Sequence, residues 1–246
     1  MKISKKLSVK YGISARSAKQ YILEGLVTLN GKTVRKDSDC ADEDFELKIP
    51  EKQKTEPEKY LLADSGDVIF FDKSVFMHSE RHRIDDPLTM EDILAAYSHE
   101  HELISRLDFT TDGVIAAVRS GVEVVSQKKI YLAYVSGEMA EKAVMDNLID
   151  AEKRTKVKVT DLSGGNRTVF TPLSYKNGFT LVQAEIEKAA RHQLRAFLAH
   201  IGHPIAGDTL YGGTEHSRIM LHCAFTEING FSANSRLTDS FHLFSN

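Results

Sequence analysis

The run Ile104-Ser105-Arg106-Leu107-Asp108-Phe109-Thr110-Thr111-Asp112-Gly113 holds the residue types best suited to chemistry. Arg106 stands two residues before Asp108, and a small polar turn ending in Gly113 follows. A guanidinium near a carboxylate favours its ionised form. An ionised carboxylate can attack an electrophilic carbon without a proton-abstracting partner. Behind it, Val114-Ile115-Ala116-Ala117-Val118 has the length of a buried strand, which would anchor such a turn. Arg-x-Asp at a turn is equally the pattern of a surface ion pair, so the rest of the chain must decide.

Two later segments carry the elements that could complete a site. Lys129-Ile130-Tyr131-Leu132-Ala133-Tyr134-Val135-Ser136-Gly137 reads as a strand of aromatic and branched residues stopped by Gly. Arg191-His192-Gln193-Leu194-Arg195 follows a strand-like Phe179–Ile186 and runs on to His203-Pro204-Ile205-Ala206-Gly207-Asp208 and Tyr211-Gly212. Leu194, Phe197, Leu198 and Ile201 form one apolar helix face, ended by Gly202 and Pro204. Arg191 and Arg195 then fall one turn apart beside that stripe, where a helix could hold Arg195 at a cleft. His192, His200 and His203 invite a metal reading, but two are eight apart on the helix and the third follows its stop. No nearby Cys or Glu supplies further ligands, so no metal is expected.

In this order the three segments resemble the RluA-like family of RNA pseudouridine synthases. Its motifs run roughly His-Arg-Leu-Asp-x-x-Thr-Ser-Gly, Lys-x-Tyr-x-Ala-x-Val-x-Gly, and Gly-Arg-Thr-His-Gln-Ile-Arg with a His-Pro-Ile-x-Gly-Asp-x-x-Tyr-Gly tail. The resemblance covers about residues 60 to 225. Here Ser105 replaces the family's first His, Asp112 its Ser, and Ala189-Ala190-Arg191 its Gly-Arg-Thr. The family's Asn-Lys-Pro-x-Gly loop appears within Phe71-Asp72-Lys73-Ser74-Val75-Phe76, which keeps the Lys and loses both Pro and Gly. The resemblance implies an α+β fold: a mainly antiparallel mixed sheet with flanking helices and a central cleft. It makes Asp108 the nucleophile, attacking either the ribose or the uracil ring. Arg195 would pair with it, and Tyr131 would pack on the target base and handle its proton. Arg106 would enter the RNA stack when the uridine flips out. His192 and Gln193, from the third motif, would contact the substrate. No cofactor is implied, because the reaction is an isomerisation. Large-subunit rRNA is the favoured substrate and tRNA the alternative. An RNA-binding or ribosome-assembly protein that keeps the fold without useful catalysis is the rival reading, prompted by the altered loop and Ser105.

The partner class also shows in the charge. The net charge of -3 conceals a split: residues 1 to 36 hold nine basic groups against one acidic group, Glu24. Such a footprint suits polyanions. Ser14 and Ser17 open a helical stretch closed at Gly25, and Asn30-Gly31 signals a hairpin between Leu26–Leu29 and Lys32–Val34. Basic helix and hairpin together resemble the S-four-like RNA-binding module, a small α/β unit. That makes Lys5, Lys6, Arg16, Lys19, Lys32 and Arg35 candidate phosphate contacts. The expected organisation is this module over 1–49, a charged, Pro-bounded linker over 50–62, and a catalytic domain over 63–246. Within the last, a strand is expected at Val68–Phe71, helices over Thr89–Tyr97 and near 139–149, and a half-exposed strand at Lys156–Val159.

A chain that is 41% hydrophobic and 27% charged is ordinary globular material. No apolar run approaches the roughly 20 residues of a membrane span. Met1-Lys2-Ile3-Ser4-Lys5-Lys6 precedes no apolar signal segment, and the two cysteines, Cys40 and Cys223, lack metal spacing. The expectation is a cytoplasmic monomer with reduced thiols, bound to RNA and to no membrane.

Overall fold

The computed structural model describes residues 1–11, 15–40, 45–47, 55–82, 86–150 and 155–241. The chain divides into two compact units: Met1–Lys54 with Glu80–Thr89, and Thr55–Ser79 with Met90–Asn246.

The first unit holds helices α1 (Ile3–Tyr11) and α2 (Ala15–Glu24) and strands β1 (Val27–Leu29), β2 (Lys32–Val34) and β3 (Phe45–Leu47), in sheet order β2-β1-β3. At the β1–β2 turn, Asn30 and Gly31 take φ of 50° and 73°. This left-handed pair is what a two-residue hairpin matching strand twist requires. Lys2 to Lys10 read as a mere basic stretch, yet α1 buries Ile3 and Leu7 against Ala18, Ile22, Val27 and Phe45. The helix was missed because only two apolar residues, four apart, mark its face. Ser14 of the expected helix start lies outside the described residues, as does the side chain of Arg16.

The second unit is built on a ten-stranded sheet. In chain order its elements begin with β4 (Leu61–Asp64), β5 (Val68–Lys73), α3 (Met90–Tyr97), β6 (His101–Leu103), β7 (Asp112–Arg119), β8 (Gln127–Ser136) and β9 (Ala143–Met145). The short pair β10 (Ile149–Asp150) and β11 (Lys158–Val159) stands outside the main sheet. Then come β12 (Thr168–Lys176), β13 (Phe179–Ile186), α4 (Gln193–His200), β14 (Leu221–Ile228) and β15 (Phe231–Asn234). The strand order is β4-β5-β7-β14-β8-β13-β12-β9, with β15 on β14 and β6 on β7. Strand β14 runs parallel to β7; among the described residues every other pairing is antiparallel. Residues 50–54 of the expected linker lie outside the described residues. Further on, Pro57–Lys59 form a 3-10 turn that leads into β4.

Burial explains the sequence pattern. Strands β5 and β7 are covered on both faces, so Val68–Phe71 and Val114–Val118 are continuously apolar. Phe71 meets Tyr97 of α3 edge-on, with ring centroids 5.6 Å apart. Strands β8 and β13 alternate buried and half-buried residues, as the two-residue strand period demands. Phe197 and Leu198 of α4 join Tyr131, Ala133, Phe170 and Val182 in the main core.

Three expectations need correction. In place of the helix near 139–149 stand β9 and β10, with irregular backbone before and between them. Met139 N–H donates to Thr180 Oγ1, Gly165 N–H to Asp146 O, and Leu148 N–H to Leu162 O. These long-range bonds override a helical propensity that only local sequence supports. The strand read over Lys156–Val159 shrinks to Lys158–Val159. Arg191 does not share a helix face with Arg195, because His192 caps α4 with φ +55° and leaves Arg191 outside it. Among the described residues, no helix is long and apolar enough to cross a membrane.

Candidate active site

Asp108 sits in the connection between β6 and β7, and local bonds fix it. Leu107 N–H donates to Ser79 Oγ at 3.0 Å, and that hydroxyl donates back to Leu107 O at 2.9 Å. Thr111 N–H donates to Asp108 O at 2.9 Å, closing a four-residue turn. Strand β7 then begins at Asp112-Gly113. Gly113 has φ +112°, and a Cβ there would lie 2.2 Å from Cys223 O of β14. Only glycine lets the two parallel strands meet where the carboxylate is launched.

Helix α4 brings the opposing charge. Arg195 Nη1 donates to Asp108 Oδ2 at 2.8 Å, while Nε and Nη2 grip Asp208 at 2.6 and 2.8 Å. The guanidinium also lies over the Tyr211 ring, 5.2 Å from its centroid. Burial would lower the pKa of Arg195, but Asp208 and then Asp108 outweigh it and raise it. The arrangement is a fixed cation clamped by a fully buried carboxylate and presented to a second one that is 36% exposed. Such preorganised charge costs no rearrangement during reaction.

Tyr131 projects from β8, in register with Ala184 of β13 and Cys223 of β14. Burial first, then Cys223 and the charge of Asp108, hold its hydroxyl well above the usual phenol range. It is therefore a neutral phenol. His192 Nδ1 lies 3.2 Å from Tyr211 Oη and its Nε2 4.0 Å from Asp108 Oδ1. Burial and the nearby Arg195 lower its pKa, so it is neutral at pH 7. Gln193 is buried and spent on the protein: its Oε1 accepts from Ala190 N–H, and its Nε2 donates to Thr168 Oγ1 and Asn166 O. It braces the loop that leads into α4.

These groups line one open cleft. Arg106, Asp108, Tyr131, His192, Gln193 and Arg195, which the sequence singled out, all face it, joined by Leu107, Thr111, Leu194 and Leu221 among others. Arg106 is exposed at its rim. Thr111 Oγ1 is buried and has no hydrogen-bond partner among the described residues. The three histidines diverge: His203 turns to Ser136 O at 3.0 Å, and His200 is exposed at the end of α4. Among the described residues no cluster of three His, Cys, Asp or Glu is placed to hold a metal.

In the first unit, Lys5, Lys19 and Lys32 are exposed. Lys6 stands over the Phe45 ring at 5.8 Å. Arg35 Nη1 donates to Leu23 O at 3.4 Å, a capping contact at the carboxyl end of α2.

Sequence reasoning missed two partners. Asp208 stood in the motif tail after the helix with no role assigned, whereas it clamps Arg195; a separation of 13 residues, crossing a helix stop, gave no signal of that pairing. The second is a buried network around Asp112, the residue that replaces the family's Ser. Arg218 Nη2 donates to Asp112 Oδ1, His222 Nδ1 lies 3.1 Å from the same oxygen, and Thr238 Oγ1 donates to Oδ2 at 3.2 Å. Burial would raise the Asp112 carboxyl, but His222 and Arg218 hold it well below the usual range. The added charge comes with its counter-charge. Beside it, burial lowers the pKa of Lys73 to about 8, against the pull of Asp112.

A carboxylate aimed by an arginine, a phenol with an apolar wall and an open mouth suit nucleophilic chemistry on a planar base and its sugar. Comparison with known proteins gives the same class. The profile of the RNA pseudouridylate synthase family matches residues 67–200. An uncharacterised RNA pseudouridine synthase of Helicobacter pylori strain J99 is 29% identical over 98% of this chain and 99% of its own length. The ribosomal large subunit pseudouridine synthase D of Nitrosomonas europaea is 30% identical over 46% of this chain and 36% of its own. Among solved structures, human RNA pseudouridylate synthase domain containing 1 superposes with TM-score 0.57 at 19% identity, covering 77% of this chain and 87% of that one. That likeness carries the α+β fold. With the profile spanning more than half of the sequence, this chain belongs to the RNA pseudouridylate synthase family and is an isomerase of uridine in RNA.

Proposed function

We propose that this enzyme isomerises uridine in large-subunit ribosomal RNA, with Asp108 as the attacking carboxylate. The observation that carries the reading is the Arg195–Asp108 ion pair at 2.8 Å on the wall of the cleft that Tyr131 also lines. The reaction breaks the bond from ribose C1′ to uracil N1 and makes a bond from C1′ to C5. N1 gains a proton and C5 loses one, so nothing is oxidised and no cofactor is called for. Asp108 attacks either C1′ or the uracil ring, and Arg195 keeps it aimed. Tyr131, a neutral phenol, packs on the uracil and relays the C5 proton through its hydroxyl. Arg106 at the rim fills the place the flipped uridine leaves in the RNA, while His192 and Gln193 shape the floor.

We further assign residues 1–49 to an S-four-like RNA-binding module, 50–62 to a linker and 63–246 to the catalytic domain. Lys5, Lys6, Arg16, Lys19, Lys32 and Arg35 supply phosphate contacts. Arg35 does so while also capping α2. The ribosomal substrate is favoured by the named activity of the Nitrosomonas relative. The enzyme acts as a cytoplasmic monomer.

The test is pseudouridine mapping of rRNA and tRNA from cells lacking the gene, rescued by the wild-type gene. One large-subunit site should vanish and return. A lost site in tRNA would replace the substrate. No changed site in either RNA would move the reading to a non-catalytic RNA-binding protein.

A further inference from the structure

Next to Asp108 two aromatic rings stand half out of the protein. Phe109, the residue after Asp108, is 42% exposed, and Phe76 is 51% exposed. Their centroids are 5.8 Å apart, and His78 lies 4.6 Å from the Phe109 ring at a 33° tilt. The two loops are tied together, since Phe76 N–H donates to Phe109 O at 2.8 Å. Phe76 also has φ +59°. A bulky side chain in the left-handed region is strained, whereas glycine is at ease there. Glycine is what the family's Lys-Pro-x-Gly loop has at this position. The chain thus carries a strained phenylalanine whose ring is not used to fill the core. Strain of this kind collects at functional sites.

We propose that Phe76 and Phe109, which stand outside the cleft lining and begin one residue beyond Asp108, form a base-stacking ledge: one ring takes the face of a nucleobase flanking the target uridine and the other, tilted by 55°, walls its edge. A flat, exposed ring one residue along the chain from the reacting carboxylate matches what unpaired RNA offers: unstacked bases with two open faces. When the target uridine leaves its stack, Arg106 takes its place against one neighbour, and the ledge receives the neighbour on the other side, whose stack opens as the strand bends into the cleft. The substrate class is therefore a uridine in a loop or single strand, rather than one inside a regular duplex. This inference rests on the reading of Asp108 as the reacting group, which sets where the target base lies.

The experiment uses the full-length protein and a single-stranded ribouridine decamer with 2-aminopurine on both sides of one central uridine. Stacking on an aromatic ring quenches 2-aminopurine fluorescence. The wild type should quench it on binding. Phe109→Leu, which keeps apolar bulk, and Phe76→Gly, which relieves the strained φ, should each lose quenching and bind about five- to a hundredfold more weakly. With a decamer abasic at both flanking positions, wild type and variants should bind alike. Phe76→Gly should melt no lower than wild type, so a lost signal there reports stacking and not unfolding. The ledge is overturned by a wild-type complex that leaves the probe unquenched. It is also overturned by variants that lose equal affinity on the abasic decamer. Asp108→Asn separates the two claims, because it should quench the probe fully while turning over no RNA. Turnover retained in Asp108→Asn with the quenching pattern intact would remove the nucleophile and keep the ledge.

Discussion

Arg195 serves two carboxylates unequally, and the inequality has consequences that can be measured. Asp208 is fully buried and bidentate, while Asp108 takes one hydrogen bond at the cleft. Removing the charge of Asp208 leaves a buried guanidinium half paired, a change that costs on the order of 3 kcal/mol. Removing the charge of Asp108 spends little stability, because solvent reaches that side chain. Urea unfolding should therefore show Asp208→Asn strongly destabilised and Asp108→Asn within about 1 kcal/mol of wild type. Equal losses would mean that Asp108 is structural. Lys73 gives a pH signature at the same scale. Its amine binds fewer protons in the folded protein between pH about 8 and its ordinary value of 10.5. Its contribution to stability therefore rises with pH across that window. Tyr131 and Cys223, whose pKa values burial raises, work in the opposite direction at high pH. The readout is thus the stability difference between wild type and Lys73→Met, which should shift in favour of wild type by roughly 2–3 kcal/mol from pH 7.5 to 10.5. A constant difference would place the Lys73 amine in solvent.

At the scale of elements, the site depends on one strand junction. Strands β7 and β14 pair in parallel only at Asp112–Gly113 and His222–Cys223, immediately after the Asp108 turn. Gly113→Ala would drive a methyl into Cys223 O and hold alanine at φ +112°. It should cost more than about 3 kcal/mol, or leave the protein insoluble, and lower turnover by displacing Asp108. A variant that melts within a few degrees of wild type would contradict this account of the junction. What sequence revealed follows the same division between near and far. The Asn30-Gly31 hairpin, the alternation of β8 and β13, and the apolar stripe of α4 are local signals, and each element lies where it was read. The segment 139–149 was misread because its bonds go to Thr180, Leu162 and Gly165, far along the chain. The cleft residues were found through motif resemblance. The pairings of Asp208 with Arg195 and of Asp112 with Arg218 were not, because the partners are 13 and 106 residues apart.

For the molecule as a whole, the balance between binding and chemistry is at issue. A net charge of -3 would repel RNA, were the basic groups not concentrated in the first 36 residues. If Lys5 and Lys19 touch phosphates, replacing both with Ala should weaken RNA binding. It should also flatten the plot of log affinity against log salt by about 0.7–0.9 per lost contact. An unchanged slope would take these residues out of the RNA interface. Affinity and turnover should then separate cleanly, with phosphate contacts setting the first and the Asp108 cleft the second. The most direct test is single-turnover release of tritium from [5-3H]uridine-labelled RNA of a strain lacking the gene, by wild type and Asp108→Asn, with the affinity of each for that RNA. The account expects release by wild type, a loss of at least about a thousandfold in Asp108→Asn, and affinities within about threefold of each other. Release by Asp108→Asn at a rate near wild type would contradict it.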